Sequence, residues 1–444
     1  MNNLKNYIKN RYFFLFLFSF VFFILGNWFF SLTSPDEGKN AFPVLHMLQT
    51  KNFLIPYYNC QPRFEKPPML YWLSVITSSI FGLNEFSLRI ISGISATGIL
   101  FFTYLIAKKY FSEKKALISA LILVTIPHIW VEARAFTPEM LLNFFSVGAV
   151  YLFLSEKIIW GWIFLALAVL TKGPVGFILP LIVVLGFKIC EKDLKLSKLF
   201  NIKGILLFLL ISTSWYLYML IYFGYAYFYK FFLYENIYRY FGQKSIHSYP
   251  FYYYFIVLLL ATFFYIPTYV KLVFKIKQNL NNFINNYSKI LLHPLFPFVF
   301  WFVFVFIFYT LAKNKLHHYI LFCYPPLAVI LANYLSEKYF KTVLIFSCFL
   351  LIFSLISFCS YEKKRFVYKV KPFIINPSRS IKFYNTEISC LTFYAKRCIF
   401  KYKDKEPMPD LIITKKKFEK NFSNCKKLIE ASEFGRSYIL LQCR

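Results

Sequence analysis

From Tyr12 the chain reads YFFLFLFSFVFFILGNWFF, an almost uninterrupted apolar run. A helix needs about 20 such residues to cross a bilayer. Several further runs reach or approach that length. The chain is 58% hydrophobic and only 16% charged, and Phe, Trp and Tyr make up 23% of it. These figures exclude an ordinary soluble domain and define a polytopic membrane protein. No cleaved signal peptide is expected, because the first run is long and lacks a small-residue cleavage site.

The formal charge is +31 over 444 residues. Lys outweighs Arg heavily, and Phe, Ile, Asn and Tyr are also abundant, which is the profile of a compositional bias. No basic segment carries a nucleic-acid module, so no nucleic-acid partner is expected. A positive exterior suits a surface facing anionic lipid. The nine cysteines form no metal-type CxxC pair. Cys60, Cys190, Cys323, Cys348 and Cys359 lie in or beside apolar segments and read as small hydrophobes. Cys390, Cys398, Cys425 and Cys443 lie in the polar tail, where one or two disulfides are expected if that tail is outside the cytoplasm.

Apolar spans are expected near residues 12–32, 87–107, 116–131, 138–154, 158–171, 174–188, 203–223, 250–270, 293–312, 318–336 and 342–360, which makes about 11 transmembrane helices. The fold class is therefore an all-α membrane bundle (1–360) followed by a small extracytoplasmic α/β domain (361–444). Basic residues in short loops set the orientation. Lys5, Lys9 and Arg11 mark the inner side. So do Lys108, Lys109, Lys114, Lys115, Lys188, Lys192, Lys195, Lys198, Lys203, Lys271, Lys275, Lys277, Lys289, Lys338 and Lys341. Long outer loops then cover about 31–89 and 224–250, and the tail lies outside.

Several cations break this rule. Lys39, Arg63, Lys66, Arg134, Lys172, Arg239, Lys313 and Lys315 fall on the outer side, many in very short hairpins. Ionisable groups so close to hydrocarbon are costly and tend to serve a site. As a set they point to a shared anion site at the outer leaflet. Cations suit a phosphate and aromatic walls suit a sugar or prenyl chain, so a lipid-phosphate sugar fits both. In the first outer loop, Asp36 and Glu37 in the first turn suit a short interfacial helix through Leu48, capped by Ser34. A second such helix is expected from Pro67 to Phe81. In the segment QPRFEKPPMLYW, Pro67 and Pro68 start that helix and hold Lys66 extended. The second loop suggests another interfacial helix, in which Glu235 and Arg239 are four residues apart, as in a helix surface pair.

Five motifs occur in order between about residues 30 and 330: DEG with QPRFEKPPMLYW and FGLNEFSLRI, then ARAFTPEMLLNFF, LTKGPVGFILP, FFLYENIYRY with HSYPFYYY, and KLHHYILFCYPPLA. They resemble the lipid-A aminoarabinose transferases, within the wider clan of polyprenyl-phosphate-sugar-dependent glycosyltransferases that includes the protein O-mannosyltransferases. The resemblance implies a GT-C architecture with its catalytic cleft at the outer leaflet. It implies that Asp36 is the catalytic carboxylate with Glu37 beside it, and that Lys66 binds the donor phosphate with Arg239 and Tyr319. Lys315 joins that set, and Arg134, Glu139 and Lys172 form a second charged cluster beside the cleft. Glu65 is similar to a family residue that ligates a divalent metal, the one cofactor implied. The chain departs from the pattern at Asn40, at Arg63, and at Glu235-Asn236, where aminoarabinose transferases tend to carry Glu-His.

The function implied is transfer of a sugar from a polyprenyl (undecaprenyl) phosphate donor to an envelope acceptor such as lipid A or another glycolipid. It would take place at the outer, periplasmic face of the bacterial inner membrane, by an inverting single displacement. Alternatives are a polyprenyl-linked glycan ligase or polymerase, a protein O-glycosyltransferase and, more distantly, a lipid-linked sugar transporter. A transporter would place its charges near mid-helix in paired repeats, whereas here they sit at outer helix ends.

Overall fold

The computed structural model describes residues 12–33, 35–191, 198–242, 247–285, 293–403 and 406–443. Ser34 and the basic residues Lys5, Lys9, Arg11, Lys192, Lys195 and Lys289 lie outside them. Helices occupy every apolar stretch read from the sequence. Three of them, Glu85–Tyr110, Ile202–Phe223 and Glu337–Glu362, are long and apolar enough to cross a membrane, and up to five spans result if two bent pairs each count as one. Those pairs, Glu113–Val124 with Pro127–Ala133 and Tyr253–Ala261 with Phe263–Lys275, bend by 66° and 80°. The remaining apolar helices, including Pro138–Leu154, Ile158–Lys172, Val175–Cys190 and Phe296–Leu311, are shorter.

The first outer loop folds as two helices joined by a hairpin. Asp36–Thr50 begins with two acids in its first turn, as the helix dipole favours, and ends at Lys51 in the left-handed region. Strands β1 (Tyr57–Tyr58) and β2 (Gln61–Pro62) pair antiparallel across Asn59 and Cys60, both at positive φ, the geometry of a tight hairpin turn. Met69–Phe81 follows directly on the buried Pro67 and Pro68, as the proline pair predicts. Asn84 and Ser87 then form a reciprocal cap for Glu85–Tyr110.

In the tail, a five-stranded sheet has the order β4-β3-β5-β7-β6. β3 (Ile381–Tyr384) pairs parallel with β4 (Phe400–Lys401) and with β5 (Leu411–Lys415). β6 (Lys426–Glu433) and β7 (Arg436–Gln442) close it as an antiparallel hairpin. This unit is bolted to the first outer loop. Gly38 of the DEG motif is where the contact is tightest: a Cβ there would lie 2.2 Å from the Cys390 backbone nitrogen. Glu85 accepts from Lys371 and Tyr394, each at 2.8 Å. The buried Arg365 donates to Glu362, Glu433 and the Ser31 carbonyl.

Cys60 is not a small hydrophobe: it forms a disulfide with Cys398, and Cys425 pairs with Cys443. The β1–β2 turn presents Cys60 to the tail, where Asn59 also exchanges hydrogen bonds with the Ile399 backbone at 2.8 and 3.0 Å. No local spacing encodes a partner 338 residues away. Mass spectrometry of a non-reduced digest should recover a Cys60–Cys398 linked peptide pair. Two separate free-thiol peptides would contradict this docking.

Candidate active site

A cavity of about 480 Å³ opens between the two outer loops. Lys66, Lys172, Arg239 and Tyr319 line it together with Glu65, Glu235 and Asn236, while Phe231, Phe232, Phe308 and Ile178 supply its apolar wall. Each polar residue arrives by a separate device. Lys66 is fixed by the two prolines that start Met69–Phe81. Lys172 is the last residue of Ile158–Lys172, released by Gly173 at φ +102, a conformation that glycine adopts at little cost. Glu235 and Asn236 lie in a π-helical stretch, Tyr229–Tyr238, and such stretches recur at functional sites. Tyr319 comes from the HHY motif, in the turn His317–Cys323.

The cations in this cavity are not equivalent. Lys172 pairs with Glu139 at 2.9 Å and lies over the Tyr319 ring at 4.3 Å. Arg239 is held by Glu235, four residues before it. Lys230, which the sequence reading passed over, lies 3.8 Å from Glu235 and 4.0 Å from Glu65. Among the described residues, no carboxylate lies within ion-pair distance of the Lys66 ammonium. Burial and the nearby cations Lys172 and Arg239 lower its pKa to about 8, against the opposing pull of Glu139 and Glu235. A cation held without a carboxylate partner, in a cavity lined by other cations, is an arrangement that attracts anions.

Several expected site residues have other roles. Glu37 is 2% exposed and meets Arg89 through two hydrogen bonds of 2.7 Å. It also accepts from the Phe136 and Thr33 amides at 2.8 and 2.7 Å. Both of its oxygens are engaged, and they tie the start of this loop to the Glu85–Tyr110 helix and to Phe136. Arg134 donates to the Phe22 and Leu25 carbonyls at 2.5 and 2.7 Å, capping the first helix, and does not join Glu139 and Lys172. Lys315 is buried against the Ala312 carbonyl at 2.5 Å and is absent from the cavity wall.

Glu65 does not fit a metal. Its neighbours are the cations Arg63 at 3.4 Å and Lys230 at 4.0 Å, and positive side chains beside a carboxylate repel a cation. The sequence reading also missed a second cluster, His128, Glu132 and His317, whose potential ligand atoms lie within 4.8 Å of one another. The signal available was His128 and Glu132 four apart in HIWVEAR, on one helix face. Asp36 is exposed at its helix start and lies within electrostatic reach of Glu132 and His317. His318 bridges the two regions, with Nε2 3.3 Å from Glu139 and Nδ1 3.9 Å from Glu132.

Residues 65–218 match the family model described as dolichyl-phosphate-mannose-protein mannosyltransferase. An uncharacterized protein of Aquifex aeolicus is 46% identical over 98% of this chain and 100% of its own length. The undecaprenyl phosphate-alpha-4-amino-4-deoxy-L-arabinose arabinosyl transferase of Shewanella sediminis is 28% identical over 68% of this chain. The match spans only 55% of that transferase's length. The crystal structure of ArnT from Cupriavidus metallidurans bound to undecaprenyl phosphate superposes with a TM-score of 0.79 at 16% identity, covering 96% of this chain and 97% of that one. The chain belongs to the GT-C glycosyltransferase family of the aminoarabinose-transferase and protein-mannosyltransferase type.

Proposed function

We propose that the protein transfers a sugar from an undecaprenyl-phosphate-type donor to an envelope glycolipid, lipid A being one candidate, at the outer face of the inner membrane. The observation that carries this reading is the joint lining of one cavity by Lys66, Lys172 and Arg239 and by an aromatic, aliphatic wall. A phosphate on a prenyl chain needs both. Eleven crossings with an external tail (361–444) complete the reading, and the disulfides Cys60–Cys398 and Cys425–Cys443 support an oxidising outer location for loop and tail.

In the reaction the bond between the anomeric carbon and the phosphate oxygen breaks while a bond from the acceptor oxygen forms on the opposite face. The acceptor hydroxyl proton passes to Asp36, and the polyprenyl phosphate leaves with the bonding pair. The phosphate goes from a diester with one charge to a monoester with nearly two. Cations already in place therefore stabilise the transition state more than the ground state. Lys66 and Arg239 take that charge, and the Tyr319 hydroxyl donates to it. As the phosphate gains charge, Arg239 exchanges part of its interaction with Glu235 for it.

Lys66→Ala tests this reading. Loss of one charge-assisted contact should cost about 1.5–3 kcal/mol, or roughly one to two decades in affinity for undecaprenyl phosphate, measured with purified protein in detergent. Unchanged affinity would place the donor phosphate elsewhere.

A pH dependence follows from the same residue. Its ammonium, with a pKa of about 8, is charged below that pH and loses its proton above it, so donor binding should weaken as pH rises through about 8. Lys66→Arg, charged throughout, should bind more weakly at neutral pH and lose this alkaline limb. A flat wild-type profile from pH 7 to about 9 would contradict the assignment.

A further inference from the structure

Glu132 is 2% exposed, and its Oε2 has no hydrogen-bond partner. Its Oε1 lies 3.3 Å from His317 Nδ1 and 3.8 Å from His128 Nε2, and those two nitrogens are 3.0 Å apart. A carboxylate buried without hydrogen bonds is costly, and two imidazoles converging on one of its oxygens need a reason. Bonds of about 2.0–2.1 Å to a tetrahedral ion place ligand atoms roughly 3.3 Å apart. The observed triangle has edges of 3.0, 3.3 and 3.8 Å.

From this geometry we infer that His128, Glu132 and His317 form a divalent-metal site of the two-histidine, one-carboxylate kind, with Zn²⁺ as the best-matched class of ion. The surroundings are those of a built site. His128 and Glu132 are one turn apart on Pro127–Ala133, so a single helix face sets two ligands. The His128 Nδ1 is engaged by the Tyr324 hydroxyl at 2.6 Å, which leaves Nε2 to face the ion and fixes the ring, as outer partners of metal-bound histidines do. His318 Nδ1 stands 3.9 Å from Glu132, and its Nε2 faces Glu139, so the carboxylate cluster continues toward Lys172.

Three protein ligands leave a fourth position open, and the His317 side chain, 51% exposed, puts that position next to solvent. The charge of Asp36 is felt at both His317 and Glu132. On the reading given under Proposed function, the ion holds an acceptor oxygen beside Asp36, opposite in charge to the carboxylate and separate from the lysine-lined donor cavity. Metal binding itself does not depend on that reading.

The test uses the full-length protein in detergent, stripped with a chelator and titrated first with Zn²⁺ and then with Co²⁺, without donor or acceptor. The site predicts one equivalent of either ion and the intense visible absorption of four-coordinate Co²⁺. Removing an outer partner of a metal ligand typically costs 10–100-fold in affinity, so losing a ligand itself should cost more than about tenfold. His317→Ala, at a half-exposed position, and the near-isosteric Glu132→Gln should each show that loss while keeping the parent's elution profile and thermal midpoint. Glu65→Gln should keep full stoichiometry. Absence of stoichiometric binding, retention of parent affinity in both ligand variants, or loss of the ion in Glu65→Gln would each overturn the assignment. Because the readout is metal content and spectrum, a failure of sugar transfer leaves this result standing, and the reverse holds too.

Discussion

Asp36→Asn should purify folded, bind undecaprenyl phosphate with the parent's affinity, and transfer sugar about two to four decades more slowly. That range is what a positioned general base typically supplies. Asparagine keeps the size of the side chain and removes only the negative charge. Asp36 is exposed at the start of Asp36–Thr50, so its replacement removes no buried pair, and the donor cations lie on other elements. The measurement is single-turnover transfer alongside a thermal melt of the same preparation. Full activity would reduce Asp36 to a residue that merely favours the helix N-terminus.

Its neighbour should behave in the opposite way. Glu37→Gln removes the charge that faces Arg89, which is 2% exposed and, among the described residues, ion-pairs with no other carboxylate. The Arg89 guanidinium keeps its bonds to the Asn27 and Phe30 carbonyls at 3.1 and 2.8 Å, but an uncompensated charge remains inside the protein. Breaking a buried pair by removing one partner costs about 3–5 kcal/mol, a large fraction of an ordinary domain's stability. The expected result is a marked drop in thermal midpoint and in yield, with donor affinity preserved in whatever fraction stays folded. An unchanged midpoint, with transfer lost, would instead make Glu37 the catalytic carboxylate. The two adjacent acids of DEG thus separate by assay: one change is read in rate, the other in stability.

Much of the local structure was legible because its causes are local. Apolar runs marked the helices, since burying an apolar face depends on nearby spacing. Pro67 and Pro68 marked the start of Met69–Phe81, because that effect acts within one turn. Lys66, Lys172, Arg239 and Tyr319 could be drawn together from their shared outer position and the resemblance, and they do line one cavity.

What the sequence could not supply was the partner of each charge. Arg134 and Lys315 carry the same charge as Lys66, yet one caps the helix ending at Ile24 and the other caps the chain at Ala312. Glu37 finds Arg89 52 residues on, His128 finds His317 across 189, and Cys60 finds Cys398 across 338. A carboxylate or a thiol has chemistry but no address. The sequence by itself determined a helical membrane bundle with charge gathered at its helix ends, because hydrophobic length and proline-set helix starts are written residue by residue. Only the tertiary packing decided which charges are neutralised in the interior and which face an open cavity, because burial, and the pairing it demands, depends on what the rest of the chain brings alongside.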